Sequence, residues 1–168
     1  MAGNRKRAQK RRRNVKDGAI WFDRYPPHHA RHAYDRGFYV EALQVLHGWL
    51  ESKLQEWLLI GRHGNIRGSY KDVWATAFGI PLLQAAKSLF ITGKMSKSTF
   101  DQVSRFNSMR NKVIHQMFHE SYDKGAMFIN MKDYDIAFAI GMKLSEQLEL
   151  RLAHLATRGK ARTDAGAA

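Results

Sequence analysis

Arg110, Asn111 and His115 fall close together in the run Ser108-Met-Arg-Asn-Lys-Val-Ile-His-Gln-Met-Phe-His-Glu120. These residue types suit work on a phosphate. An arginine can hold charge that builds on phosphate oxygens, an imidazole exchanges protons near neutral pH, and a carboxamide orients either by neutral hydrogen bonds. Cysteine is absent, which removes disulfides, thiolate zinc sites and a thiolate nucleophile together. Chemistry must come from His, Arg, carboxylates or hydroxyls. His115-x-x-x-His119-Glu120 also has metal-ligand spacing on a helix, but no third ligand is indicated and the His-Glu-x-x-His order is absent. No metal and no cofactor is expected.

The element that must position these residues is a helix over about Ser98 to His119. Phe100, Val103, Phe106, Val113 and Met117 recur at helical spacing, and Ser98-Thr99-Phe100-Asp101 resembles a capping box. On a wheel stepped at about 100° per residue, Arg110 falls near the centre of an apolar arc formed by Val103, Phe106, Met109, Val113, Ile114 and Met117. Asn111 and His115 lie about 40° apart on the edge of the polar side, beside Ser104, Ser108 and His119. Arg110 and His115 are separated by about 140° around the axis and about 7.5 Å along it, so one copy of the helix converges poorly. A guanidinium cannot shed its proton, so an arginine aimed at a core must be paired, solvated in a groove or turned to another subunit. Two copies about a two-fold axis would let each arginine reach the opposite helix. A homodimer with a composite site is the expectation.

The remaining elements read as an all-α, up-down bundle of four or five helices. One long amphipathic helix is expected from about His29 to Ile60, with Phe38, Ala42, Leu46, Leu50, the Lys53 stem and Trp57 as its stripe. Ser69-x-x-Asp72 resembles the start of a second helix that breaks at Gly79-Ile80-Pro81. Leu82 to Ile91 is a short apolar helix closed by Thr92-Gly93-Lys94. Ala126 to Met131 alternates and reads as an extended linker. Asp133 is expected to cap a last helix through about Ala156, striped by Ile136, Ile140, Leu144, Leu148, Leu152 and Leu155. Asp101 likewise reads as a cap, Trp49 and Trp57 as core, and His28, His29 and His32 as solvated residues of a Pro-flanked lead-in.

Charge points to a polyanion. The chain of 168 residues carries a formal +13 and a pI near 10.2, and such a charge attracts nucleic acid and releases its counterions on binding. The first sixteen residues hold Arg5, Lys6, Arg7, Lys10, Arg11, Arg12, Arg13 and Lys16 with no acid, leaving +5 for the rest. Residues 1–17 therefore read as a disordered basic arm that binds RNA or DNA phosphates, or that merely solubilises or serves nuclear import. Residues 18–157 form the helical domain and 158–168 a flexible tail. The length suits one domain. No apolar run approaches the roughly 18 residues that span a bilayer, and nothing resembles a secretory leader, so a soluble, cytoplasmic protein is expected.

Arg110-Asn111-x-x-x-His115 on the penultimate long helix of a small all-α chain resembles the ribonuclease motif of the HEPN superfamily, the higher eukaryote and prokaryote nucleotide-binding domains. Gly37-Phe38-Tyr39-Val40-Glu41-Ala42-Leu43 followed by Leu50-Glu51-x-x-Leu54 resembles the first long helix of such domains, and the likeness covers about residues 30 to 157. The resemblance implies a bundle that dimerises through the motif helices. It implies RNA cleavage without metal, by attack of the 2′-hydroxyl on the adjacent phosphate, with Arg110, Asn111 and His115 as the catalytic set. It also implies a toxin or antiviral effector, with an antitoxin or inhibitor protein as partner. Toxins of this superfamily paired with nucleotidyltransferase antitoxins often carry a tyrosine two positions after the histidine. Here that position is Met117, which sets the chain apart from regulation through that tyrosine. Two other readings stay open: a non-catalytic nucleic-acid- or nucleotide-binding adaptor on the same bundle, in which His115 is an ordinary helix histidine, and a metal site on His115 and His119.

Deleting residues 1–16 should weaken RNA binding and flatten its dependence on salt, since fewer phosphates are neutralised. Binding titrations across a salt series check this, and an unchanged slope would show that the arm does not touch RNA.

Overall fold

The computed structural model describes residues 15–16, 19–20, 25–60, 69–119 and 129–165. The chain folds as an all-α bundle. A two-residue antiparallel pairing of Val15–Lys16 (β1) with Ala19–Ile20 (β2) comes first. The helices among the described residues are α1 (Pro26–Asp35), α2 (Tyr39–Ile60), α3 (Tyr70–Phe78), α4 (Leu82–Ile91), α5 (Lys97–His119) and α6 (Met131–Ala165). The run Ala126 to Phe128, part of the expected linker, lies outside the described residues, as do residues 1–14.

The expected long helix from His29 to Ile60 is split. Gly37 sits at φ 77°, a conformation that a side-chain-bearing residue adopts only with strain. Its N–H donates to the Tyr34 carbonyl and that of Phe38 to the Ala33 carbonyl, the paired bonds that close a helix on a glycine. Gly93, at φ 68°, ends α4 the same way, with its N–H on the Phe90 carbonyl and that of Lys94 on the Leu89 carbonyl. Because the chain turns at Gly37, Phe38 leaves the expected stripe and is 57% exposed. The α2 stripe that does reach the core is Ala42, Leu43, Leu46, Leu50, Leu54 and Trp57.

One cap falls where spacing puts it, and two fall two and three residues earlier. Ser69 caps α3 as expected, accepting the Asp72 N–H and donating its hydroxyl to the Asp72 carboxylate. At α5 the capping oxygen is that of Ser96, which accepts the Thr99 N–H, while Asp101 pairs with Lys97. At α6 it is Asn130, whose side-chain oxygen accepts the Asp133 N–H. Asp133 instead accepts from Lys112 of α5 at 2.6 Å. The final helix continues past Ala156 to Ala165. Among the lead-in histidines, His29 lies 2.7 Å from the Glu41 carboxylate, so it is tied to α2 rather than merely solvated.

Helix α2 touches each of the other five. Its apolar face shares one core cluster with Phe106 and Val103 of α5 and Leu144 and Leu148 of α6, all fully buried. A close approach falls at Gly141 of α6. A methyl group placed there would stand 2.7 Å from Cε2 of Phe106 and 3.0 Å from Cδ1 of Leu46, so α2, α5 and α6 meet where a side chain is missing. Gly141→Ala should therefore lower stability, because overpacking a dense core costs about 1–3 kcal/mol. That exceeds the roughly 1 kcal/mol that alanine gains over glycine within a helix. Gly48→Ala is the control: nothing stands within 4 Å of its added methyl, so the same exchange should raise stability by up to about 1 kcal/mol. Chemical denaturation of both variants makes the comparison.

Candidate functional site

Arg110 is half-buried on α5 at its border with α2. Its Nη2 donates to Oε1 of Gln44 at 2.6 Å, and its Nη1 donates to Oδ1 of Asn111 at 2.9 Å. The sequence pattern aims Arg110 at the core. Instead the guanidinium lies along the α2–α5 seam, held by two neutral oxygens. Among the described residues no carboxylate pairs with it. Its Nε is out of contact with solvent and has no acceptor among the described residues, and a buried donor left unpaired costs about 1–3 kcal/mol. Arg110 is thus satisfied in part within one chain, without the partner subunit that the wheel suggested.

Asn111 connects the motif. Its side-chain oxygen orients Arg110, and it lies one turn before His115 on the same ridge of α5. His115 is exposed, so the two outer members of the motif open on different sides of the helix. Lys112 bridges to Asp133 and ties α5 to α6 beside the site. The side chain of His119 lies outside the described residues, as do Arg5, Lys6, Arg7, Lys10, Arg11, Arg12 and Arg13. Among the described residues no three His, Cys, Asp or Glu side chains come together as metal ligands.

Two residues at the site do not belong to the motif. Gln44 and His47 stand on α2, on a polar stripe continued by Glu51 and Gln55. The stripe works along its length. Gln44 accepts from Arg110, Glu51 accepts the Leu82 N–H at the start of α4 at 2.7 Å, and the buried Gln55 donates to the carbonyls of Phe78, the last residue of α3, and Ile80. His47 lies between Gln44 and Glu51 and makes no hydrogen bond among the described residues. Burial first, and the Arg110 guanidinium second, hold its imidazole below the ordinary pKa, while Glu51 pulls weakly the other way. The signal was present in the sequence: polar residues recur three and four apart at 44, 47, 51 and 55, inside a helix otherwise read for its apolar stripe.

Chemically the seam offers a fixed guanidinium that no carboxylate among the described residues pairs with, a carboxamide on each side of it and a half-buried neutral imidazole. These suit a phosphate or another compact anion. In comparison with known proteins, no family model, no curated protein and no solved structure matches the chain. No helix among the described residues is long and apolar enough to cross a membrane.

The His47 environment has a consequence for stability. The unfolded imidazole takes its proton near 6.5, the folded one only at lower pH. Between those values the unfolded state binds more protons, so stability falls as pH drops through that window and is unaffected by His47 above it. His47→Gln cannot titrate, so it should lose less thermal stability than the unsubstituted protein between about pH 7 and about pH 5, as melting curves would show.

Proposed function

We propose that the protein is a metal-independent endoribonuclease of the HEPN type that works as a homodimer in the cytoplasm, with an antitoxin or inhibitor protein as its regulator. The observation that carries this reading is the state of Arg110: a half-buried guanidinium positioned by Gln44 and Asn111, with no carboxylate among the described residues to cancel its charge. A structural arginine at a helix seam would ordinarily be matched by an acid. One held by neutral groups keeps its charge for an incoming anion. The formal +13 and the basic arm make RNA a fitting anion.

In this mechanism the 2′-hydroxyl oxygen attacks the adjacent phosphorus and the bond from phosphorus to the 5′-oxygen breaks. The products are a 2′,3′-cyclic phosphate and a 5′-hydroxyl. Arg110 stabilises the charge that grows on the non-bridging oxygens, Asn111 fixes the guanidinium, and His115 moves a proton at the reacting oxygens. Arg110 and His115 open on different sides of α5, which is why the reading includes two copies meeting through this helix. Each site would then combine Arg110 of one copy with His115 of the other.

His115→Ala and Arg110→Ala should each lower cleavage of single-stranded RNA by a factor on the order of 10² or more, while most of the RNA affinity remains. Both residues serve one step, so the double variant should be little worse than the worse single one. EDTA should have no effect, and the products should carry cyclic phosphate ends. Tight binding with no cleavage would make the protein an adaptor instead. Cleavage that EDTA stops and His115→Ala spares would place a metal on His115 and His119. Sedimentation showing only a monomer at micromolar concentration would remove the composite site.

A further inference from the structure

We infer that His47 is a second proton-transfer residue of this site, the base that receives the 2′-hydroxyl proton of RNA, with the guanidinium of Arg110 beside it holding the phosphate. The inference rests on the ribonuclease reading and names a residue that the Arg-Asn-x-x-x-His motif does not contain. It starts from a requirement of the reaction. Transesterification takes a proton from the 2′-oxygen and delivers one to the departing 5′-oxygen, so a single imidazole must do both in turn or two groups must share the work. His115 is one group. His47 is placed to be the other.

Three observations place it. Gln44, whose side-chain oxygen holds Arg110, stands one turn before His47 on the same face of α2, so His47 faces the α5 seam where the guanidinium lies. Every other polar member of that stripe has a structural partner, with Gln44 on Arg110, Glu51 on the start of α4 and Gln55 on the turn after α3. His47 alone of the four makes no hydrogen bond among the described residues, so none of the helix ends that the stripe holds draws on its ring nitrogens. It is half-buried rather than sealed in the core, so an extended ligand lying along the seam can reach it.

The two histidines sit in environments that divide the labour. Among the described residues, the charged groups that act on His47 are Arg110 from α5, which disfavours its protonation, and Glu51 on its own helix, which favours it; burial outweighs both. The neutral ring is therefore the resting form at neutral pH, as a base requires. His115 stands exposed on α5, and takes the role of acid because the departing 5′-oxygen needs a donor other than the base. The balance closes. One proton passes from the 2′-hydroxyl to His47, the bond from the 2′-oxygen to phosphorus forms as that from phosphorus to the 5′-oxygen breaks, and protonated His115 gives its proton to the 5′-oxygen. Solvent then returns both imidazoles to their starting forms, and no water is consumed in the cleavage step.

The experiment uses the full chain and a single-stranded oligoribonucleotide, with kcat/KM measured across pH for the unsubstituted protein, His47→Gln and His115→Ala. Circular dichroism verifies that each variant is folded. The expected result is an acid limb in the unsubstituted protein whose midpoint lies below that of an ordinary histidine. In His47→Gln the rate should fall on the order of 10²-fold and that limb should vanish. Affinity for the same oligonucleotide carrying 2′-deoxyribose at the cleavage site should change less than about threefold, since a general base acts on the reaction more than on binding. Cleavage by His47→Gln at the unsubstituted rate, with its acid limb intact while His115→Ala is inactive, would overturn the role of His47 and leave the ribonuclease reading standing. An equal loss of deoxy-oligonucleotide affinity and of rate would make His47 a binding residue and overturn the inference as well. An unsubstituted protein that cleaves no RNA would overturn both together.

Discussion

The approach of three helices at Gly141 governs what the rest of the bundle can do. Because this position carries no side chain, Phe106 of α5 and Leu46 of α2 close over it to distances that a methyl group could not share. Both contacts are neighbours of the site. Leu46 immediately precedes His47, and Phe106 lies one turn before Arg110. Their burial presses α5 onto α2 closely enough for the Arg110 guanidinium to reach across to Gln44. Dense cores transmit small displacements rather than absorb them, so the spacing at Gly141 and the geometry of the seam are one quantity seen from two places.

Helix α2 organises the surroundings through two stripes of different character. The apolar one, from Ala42 to Trp57, supplies the centre of the core. The polar one binds the short helices by their ends, where backbone groups lack helical partners. Glu51 accepts the first N–H of α4, and Gln55 donates to two carbonyls at the C-terminal end of α3, those of Phe78 and Ile80. These bonds orient short helices that have little area of their own to bury. A second anchor lies at the other end, where the fully buried Tyr134 of α6 donates its hydroxyl to the Tyr39 carbonyl at the start of α2, and Tyr34 of α1 donates to Asp135. Burial raises the Tyr134 pKa far above that of a free phenol, so the phenol keeps the proton it donates.

Arg110 runs against economy of folding. It brings a charge into a seam, finds no acceptor for its Nε among the described residues and draws on neutral oxygens for what a carboxylate would supply more strongly. It also disfavours protonation of the nearby His47. Arrangements that stability alone would not select tend to mark functional sites. Here the cost falls on the residue that the sequence pattern singles out, next to a histidine that the pattern passes over.

Much of the architecture was legible from the chain as written. Helical periodicity along Val103, Phe106, Val113 and Met117, and along Leu144, Leu148 and Leu152, marked faces that are buried in the structure, because a repeat near 3.6 residues leaves few other ways to gather apolar groups. Ser69 and Gly93 were readable as helix ends because their local chemistry acts within four residues. The break at Gly37 was not, since helical apolar spacing begins directly after it at Phe38 and only backbone closure onto Ala33 and Tyr34 ends α1 there. Nor were Ser96 and Asn130 as caps, since serine-to-aspartate spacing fits more than one register. The motif on α5 was visible as a string of residue types, but its wheel placed Arg110 in the core. A wheel records where a side chain leaves its helix; a long, flexible arginine ends elsewhere, and that end depends on the neighbouring helix. The meeting of Arg110 with Gln44 spans 66 positions of sequence, so only the packing of α2 against α5 could decide it and bring His47 into the site.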